Sequence, residues 1–239
     1  MNKSYSVIAN SYDNLTHNDC DYNSWSQYLF TVAKRHNAKS VVDLACGTGK
    51  MTQLLAKRGL QVVGVDSSAE MLDVATQKCR AVFVKQDMQK LKLPRSVDMA
   101  VCVNDGTNYV APHDLVAFFQ AVHANLKSGA PFVFDVSSAH KLQNVVGNNV
   151  FFVDDEQKTL LWTNSLGEHT VTMNLTMFTK CGTTYTRSDE SHTQHIHTQQ
   201  FVEDCLSKAG FTLVEVTADY GKTLTDDALR ITFYATKKQ

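Results

Sequence analysis

Ser40-Val-Val-Asp-Leu-Ala-Cys-Gly-Thr-Gly49 is the stretch on which the reading of this chain turns. Val41, Val42 and Leu44 read as a short buried strand, and Gly47 and Gly49 as the sharp turn after it. Lys50 to Arg58 then has the apolar spacing of a helix, through Met51, Leu54 and Leu55. Glycine matters here because a residue without Cβ lets backbone N–H groups come close to a ligand. A second strand, Gln61-Val-Val-Gly-Val65, ends in Asp66. That acid falls about 20 residues beyond Gly47, a spacing that suits a carboxylate accepting the hydroxyls of a ribose. The outline is that of a nucleoside pocket.

Working outward, the pattern repeats: strand 40–44, helix 50–58, strand 61–65, helix 68–79, strand 81–85, strand 97–103, helix 113–126 and strand 131–136. Strands alternating with helices of this length imply a parallel, doubly wound sheet of the Rossmann type. A ligand then belongs beyond the carboxyl ends of the strands. Those ends carry Asp43, Asp66, Asp87, Asn104 to Asn108, and Asp135.

The flanks read differently. Ser4 to Asn18 mixes aromatic and polar residues (Tyr5, Val7, Ile8, Tyr12, Leu15), and Asp21 to His36 has helical spacing through Trp25, Tyr28, Leu29 and Val32. Residues 1–38 are thus expected to form a helical cap, with Tyr12 and Trp25 either packing or covering a ligand. Beyond Ser138 a short helix is expected over 139–146. Apolar and polar residues then alternate through an antiparallel insert, 149–197, of three or four strands. A helix over 198–209 and strands 211–217 and 230–236 complete the pattern. The closing hairpin makes the last of seven strands antiparallel. One domain is expected, with its core in 39–138 and 198–239 and the insert lying over the active site.

Composition narrows the partners. The 239 residues carry 23 Lys and Arg against 24 Asp and Glu, scattered without a basic stripe, which disfavours nucleic acid. The six cysteines include no CxxC pair, as in a reduced chain without structural zinc. Met1 to Asn18 is polar, and no apolar run approaches the roughly 20 residues of a membrane span. A cytoplasmic protein that does not enter membranes is expected. The insert's edge would suit a two-fold partner, so a homodimer is conceivable.

Three nucleotide readings compete for the glycine turn. A Walker loop fails, because Leu44 stands five positions before Gly49 and Met51 follows Lys50. A dinucleotide motif finds its first two glycines at Gly47 and Gly49 but Thr52 at the third position, which weakens NAD without removing it. The third reading is S-adenosylmethionine. Val41 to Gly49, then Val65-Asp-Ser-Ser-Ala-Glu-Met-Leu72, then Gln86-Asp-Met88, resemble three successive motifs of class I S-adenosylmethionine-dependent methyltransferases. Tyr12-Asp, Tyr22-Asn-Ser-Trp25, Asn104-Asp-Gly-Thr-Asn-Tyr109 and the insert resemble a bacterial group of small methyltransferases within it. The chain is more distantly similar to glycine N-methyltransferase and amino-sugar N-methyltransferases.

The resemblance implies that the backbone of Ala45, Cys46 and Gly47, in the turn closed by Gly49, faces the methionine moiety; many relatives have Gly where Ala45 stands. It implies Asp66 on the ribose with Ser67 beside it, Met71 against the adenine, and Asp87 and Met88 at the adenine edge. Tyr12 and Trp25 would cover the cofactor, and Asn104 would sit near its amino acid end. Plainer roles stand beside these: Asp66 as cap of helix 68–79, Met71 and Met88 as core. Asp43 reads as a turn acid whose carboxylate organises the loop amides, and Asp135 as structural.

A sulfonium donor is already activated, so the protein chiefly aligns the acceptor and excludes water. A general base is needed only for a protonated acceptor. Tyr12, Asp105, Tyr109, His140, His192 and His195 are candidates, with Tyr109 and His192 preferred. His192 and His195 point to opposite faces of a regular strand, so no metal site is expected from them with His197. The chain lacks the Pro-Pro-Tyr signature of aminopurine methyltransferases after its fourth strand. It also has Ser137 and Ser138 where the glycine enzyme has an Arg. The expected acceptor is a small molecule, methylated on nitrogen or oxygen. RNA or protein methylation, a NAD-binding oxidoreductase and a non-catalytic binding module remain as alternatives.

Overall fold

The structure, a computed structural model, describes residues 5, 8–9, 12–15, 20–154 and 156–238. The expectations for Val7 and for the side chain of Leu15 lie outside the described residues. In chain order the elements are α1 (Tyr12–Leu15), α2 (Tyr22–Arg35), β1 (Ser40–Leu44), α3 (Lys50–Lys57), β2 (Gln61–Asp66), α4 (Ala69–Lys78), β3 (Val82–Lys85) and β4 (Met99–Cys102). Next come α5 (Leu115–Asn125), β5 (Pro131–Ser137), β6 (Val150–Asp154), β7 (Lys158–Leu166), β8 (Thr170–Cys181) and β9 (Thr184–His195). The described elements close with α6 (Gln199–Lys208), β10 (Phe211–Ala218) and β11 (Arg230–Lys237). The short helix expected over 139–146 is a single wide turn of π type, Lys141–Val146.

One sheet runs β10-β11-β5-β4-β1-β2-β3, with β1 to β5 parallel and β11 antiparallel to both neighbours. This is the seven-stranded Rossmann-like sheet expected, with its last strand reversed. Helices cover both faces, so the central strands are apolar runs rather than alternations: every residue of β5 is buried. On one face Phe134 stacks between Phe132 at 4.7 Å and Phe233 at 5.1 Å, with Phe119 of α5 at 5.2 Å. On the other, Trp25, Leu29 and Val32 of α2 meet Val41, Val101 and Val133. The chain leaves β1 in one direction to β2 and returns on the other side at β4, which opens a crevice at the carboxyl ends of these two strands.

The insert is a separate antiparallel sheet, β6-β7-β8-β9. Period-two alternation along β8 buries Val171, Met173, Leu175 and Met177 on one face. Leu175 and Met177 pack with Leu160 against Ile8, and Val171 and Met173 against Leu142 and Val146. Strand β6 forms an outer edge with Phe152 74 % exposed. No helix among the described residues is long and apolar enough to cross a membrane.

Phe134→Ala removes a fully buried ring from the centre of the aromatic stack. Equilibrium urea unfolding should show a loss of about 3–5 kcal/mol.

Candidate functional site

At the carboxyl ends of β1, β2, β3 and β4 lies a cavity of about 220 Å³. Its floor is the turn after β1. Ala45, Gly47 and Gly49 all have positive φ, and a Cβ added to Gly47 would meet nothing within 4 Å, so that backbone faces open space. Gly49 does another job. A Cβ there would lie 2.9 Å from Ala75 and 3.1 Å from Phe83, so its glycine lets α3 sit against α4 and β3. Gly49 is not in the cavity wall.

The carboxylate that organises this turn is Asp66. Its Oδ2 accepts the Gly47 amide at 2.8 Å and its Oδ1 the Ser68 amide at 2.9 Å. Ser68 itself caps α4, accepting from the Met71 amide at 3.2 Å. Burial raises the Asp66 pKa from its ordinary value while these amides oppose the rise. Asp43, read from sequence as the organiser of the loop amides, is corrected: it is fully buried on β1 and turns toward α3, where the Thr52 hydroxyl donates to its Oδ2 at 2.5 Å. Its Oδ1 has no partner among the described residues, and burial pushes its pKa to about 7.

Asp87 closes the far end of the cavity, accepting the Gln89 amide at 2.9 Å, with Met71, Met88 and Ser67 nearby in the wall. The opposite end is phenolic. Tyr5, Tyr12, Tyr22 and Tyr109 line it with Asn104. The hydroxyls of Tyr5 and Tyr109 lie 2.5 Å apart, and the Asn104 amide donates to the Tyr12 hydroxyl at 3.1 Å. Burial raises Tyr109 to about 12, and Tyr5 and Tyr12 further, so these rings remain neutral phenols.

Among the described residues, no part of the insert lines the cavity. Tyr5, Ile8 and Tyr12 stand between it and the insert. The expectation that His192 touches the reacting groups is therefore corrected. Its side chain is turned to the buried face of β9, where Nε2 lies 2.6 Å from Glu190 Oε1 and the ring packs on Tyr5 at 4.3 Å. Gln194, two residues on, bonds Tyr109. His195 is half-buried, its carbonyl accepting from Asn108 at 3.0 Å, and His197 lies buried against the Val110 carbonyl at 3.1 Å. Among the described residues no cluster of three or more His, Cys, Asp or Glu could hold a metal ion.

Behind Asn104 sits a buried charge cluster. Asn104 and Asp105 are consecutive left-handed residues, φ 62° and 67°, a conformation that is costly for residues with Cβ. Asp135 holds both, accepting the Asn104 amide at 2.8 Å and the Asp105 amide at 2.7 Å. Arg230 donates to Asp135 at 2.6 Å, to Asp105 at 2.5 Å and to the side-chain Oδ1 of Asn104 at 3.1 Å. Its guanidinium lies 4.6 Å from the centre of the Trp25 ring. Burial alone would raise the Asp105 carboxyl, but Arg230 and Lys141 bring it down to about 2; burial leaves Asp135 raised against the same arginine. Trp25 is also corrected as a cavity residue. It is 2 % exposed, stacked on Tyr220 at 4.8 Å with its Nε1 donating to Asp219 at 2.8 Å.

A family profile described as a methyltransferase domain matches residues 41–129. YqeM of Bacillus subtilis (strain 168), a protein named as a methyltransferase, is 32 % identical over 227 residues, 92 % of this chain and 91 % of YqeM. A crystal structure of an S-adenosylmethionine-dependent methyltransferase from Clostridium acetobutylicum ATCC 824 superposes with a TM-score of 0.88 at 32 % identity, covering 97 % of this chain and 98 % of that one. The chain belongs to the S-adenosylmethionine-dependent methyltransferases. Among more distant folds, the sugar N-methyltransferase KedS8 from Streptoalloteichus sp ATCC 53650 has a TM-score of 0.80 at 19 % identity, with 95 % and 93 % of the two chains covered.

In this methyltransferase the cavity wall gathers Tyr12, Ala45, Cys46, Gly47, Asp66, Ser67, Met71, Asp87, Met88, Asn104 and Tyr109, and leaves out Gly49, Trp25 and His192. Tyr5, Tyr22, Thr48, Lys50 and Gln86 line it without having been singled out from sequence. Tyr22 had a usable signal. Side chains on a helix lean toward its N-terminus, so the first residue of α2 reaches the crevice while Trp25, a turn later, is drawn beneath it.

Arg230→Met leaves the buried Asp135 without its cation and Asp105 with Lys141 alone, and should lower stability by about 3–5 kcal/mol in denaturant titration. Asp43 ionises near 3.8 when unfolded but near 7 when folded, so the folded state holds the extra proton between these values. Its contribution is intact below pH 3.8 and is lost as pH rises toward 7. Asp43→Asn should flatten the fall in unfolding free energy across that window, measured as the difference from wild type.

Proposed function

We propose that this methyltransferase moves the methyl group of S-adenosylmethionine to nitrogen or oxygen of a small-molecule acceptor. The observation that carries the reading is the polarity of the cavity along its length, with Asp66 and Asp87 at one end and four tyrosines and Asn104 at the other. In this reading Asp66 accepts from the ribose hydroxyls and Asp87 from the adenine amine. Met71 packs on the adenine and the Met88 amide donates to its edge, with Ser67 beside the ribose. The backbone of Ala45, Cys46 and Gly47 faces the methionine part. Tyr12 covers the cofactor, Asn104 sits near its amino acid end, and Tyr109 meets the acceptor.

The cofactor supplies a methyl on a sulfonium: the acceptor's lone pair takes the methyl carbon as the S–C bond electrons return to sulfur. The chain's own residues align that approach and exclude water. The tyrosine faces tolerate a cation, each worth about 0.5–2 kcal/mol. Because burial keeps Tyr109 and Tyr12 as phenols, they orient the acceptor by hydrogen bonding rather than as phenolate bases. His192 supports Tyr5 and Tyr109 from behind. A cavity of about 220 Å³ with phenols at one end, together with an even charge, favours a small acceptor over RNA or protein. The sugar acceptor in the name of KedS8 is of that size class.

Isothermal titration should give binding of S-adenosylmethionine and S-adenosylhomocysteine and none of NAD. Asp66→Ala should weaken both adenosyl ligands by about tenfold or more, the loss of a charge-assisted hydrogen bond. Unchanged affinity would remove Asp66 from the ribose. Incubating the enzyme with methyl-labelled S-adenosylmethionine and a fractionated metabolite extract should transfer label to a low-molecular-weight fraction. Label found only in RNA or protein would overturn the acceptor class.

A further inference from the structure

Lys50, the first residue of α3, lines the cavity directly after the glycine turn. Its ammonium lies 4.6 Å from the centre of the Tyr22 ring. No described carboxylate comes within ion-pair distance of it, although other cations near the site, Lys78, Lys141 and Arg230, are all paired with aspartates. An ammonium in a cavity wall with no carboxylate partner among the described residues is suited to an anion that enters the cavity.

Its position says which part of the ligand it meets. Tyr22 belongs to α2, which packs over β1, β4 and β5. Asp66 and Asp87 end β2 and follow β3, at the other side of the crevice. Lys50 therefore stands toward the phenolic end, away from the two acids. S-adenosylmethionine carries positive charge on its sulfonium and its α-ammonium and negative charge only on its carboxylate. A fixed cation repels the first two and attracts the third, and Coulomb interactions strengthen in a site with reduced access to water. Lys50 on Tyr22 is thus suited to one group of the cofactor.

We infer that Lys50 is the counter-ion of the carboxylate at the amino acid end of the cofactor, an inference that rests on the cofactor orientation proposed above. Tyr22 holds the lysine stem and ammonium in place through its ring face. The assignment gives this chain a donor-side anchor in its own α3, separate from the backbone of the glycine turn.

The test compares S-adenosylhomocysteine with 5′-methylthioadenosine, which keeps the adenosyl and sulfur but lacks the amino acid. Both are titrated calorimetrically into wild type, Lys50→Met and Lys50→Arg, with circular dichroism to check folding. Lys50→Met should weaken S-adenosylhomocysteine by about tenfold and leave 5′-methylthioadenosine unchanged, and Lys50→Arg should retain most of the affinity. Equal losses for both ligands, or no loss for either, would overturn the assignment; no loss would move Lys50 to the acceptor. If wild type binds neither ligand, the cofactor orientation itself fails, and the inference with it.

Discussion

The Gly47 amide donating to Asp66 is the contact on which the site depends. It ties the turn after β1 to the end of β2, neighbours in the sheet but separated in sequence by a whole helix. With the second oxygen of Asp66 on the Ser68 amide, one carboxylate fixes both the glycine turn and the entry to α4. The turn can then keep its left-handed backbone open to the cavity, since the strain is held by partners outside the turn. The desolvation that raises the Asp66 pKa is the cost of placing a charge there, and the amides offset part of it.

A second fixed point lies across the crevice. Asn104 and Asp105 would not hold two consecutive left-handed conformations unaided. Asp135 on β5 and Arg230 on β11 supply the hydrogen bonds that do so, and Trp25 and Tyr220 seal the cluster from water. The reversed last strand thus has a purpose at the site: its first residue delivers the cation that the parallel strands lack. The cavity is suspended between two carboxylates, the half-buried Asp66 held by amides and the buried Asp135 held by amides and an arginine.

Much of this was legible in the sequence because parallel strands covered on both faces are apolar runs, and their polar carboxyl ends stand out. The strands expected at 40–44 and 131–136 followed from that contrast, the antiparallel insert from its period-two alternation, and the reversed closing strand from the hairpin that leads into it. What sequence alone did not reach were choices of direction. Asp43 and Asp66 both end in the right region, but only the packed sheet shows which one turns to the loop. Trp25 and Tyr22 differ by one helical turn, and that turn separates the interior from the cavity wall. His192 sits on the expected strand but one layer back, because the N-terminal tyrosines intervene. Arg230 gave no local signal, since every partner lies far along the chain.

Among the described residues, the insert meets the cavity at second hand, through the phenol rings of Tyr5, Tyr12 and Tyr109. A β-sheet placed behind a rotatable aromatic wall adjusts the wall's tilt rather than its chemistry. Substitutions on the inner face of β8 and β9 therefore reach the phenolic end of the cavity through those rings, while the turn after β1 and its Asp66 contact lie apart from them. Such a chassis divides the labour between the two ends of the cavity, one shaped by backbone amides and the other by the packing of aliphatic and aromatic side chains.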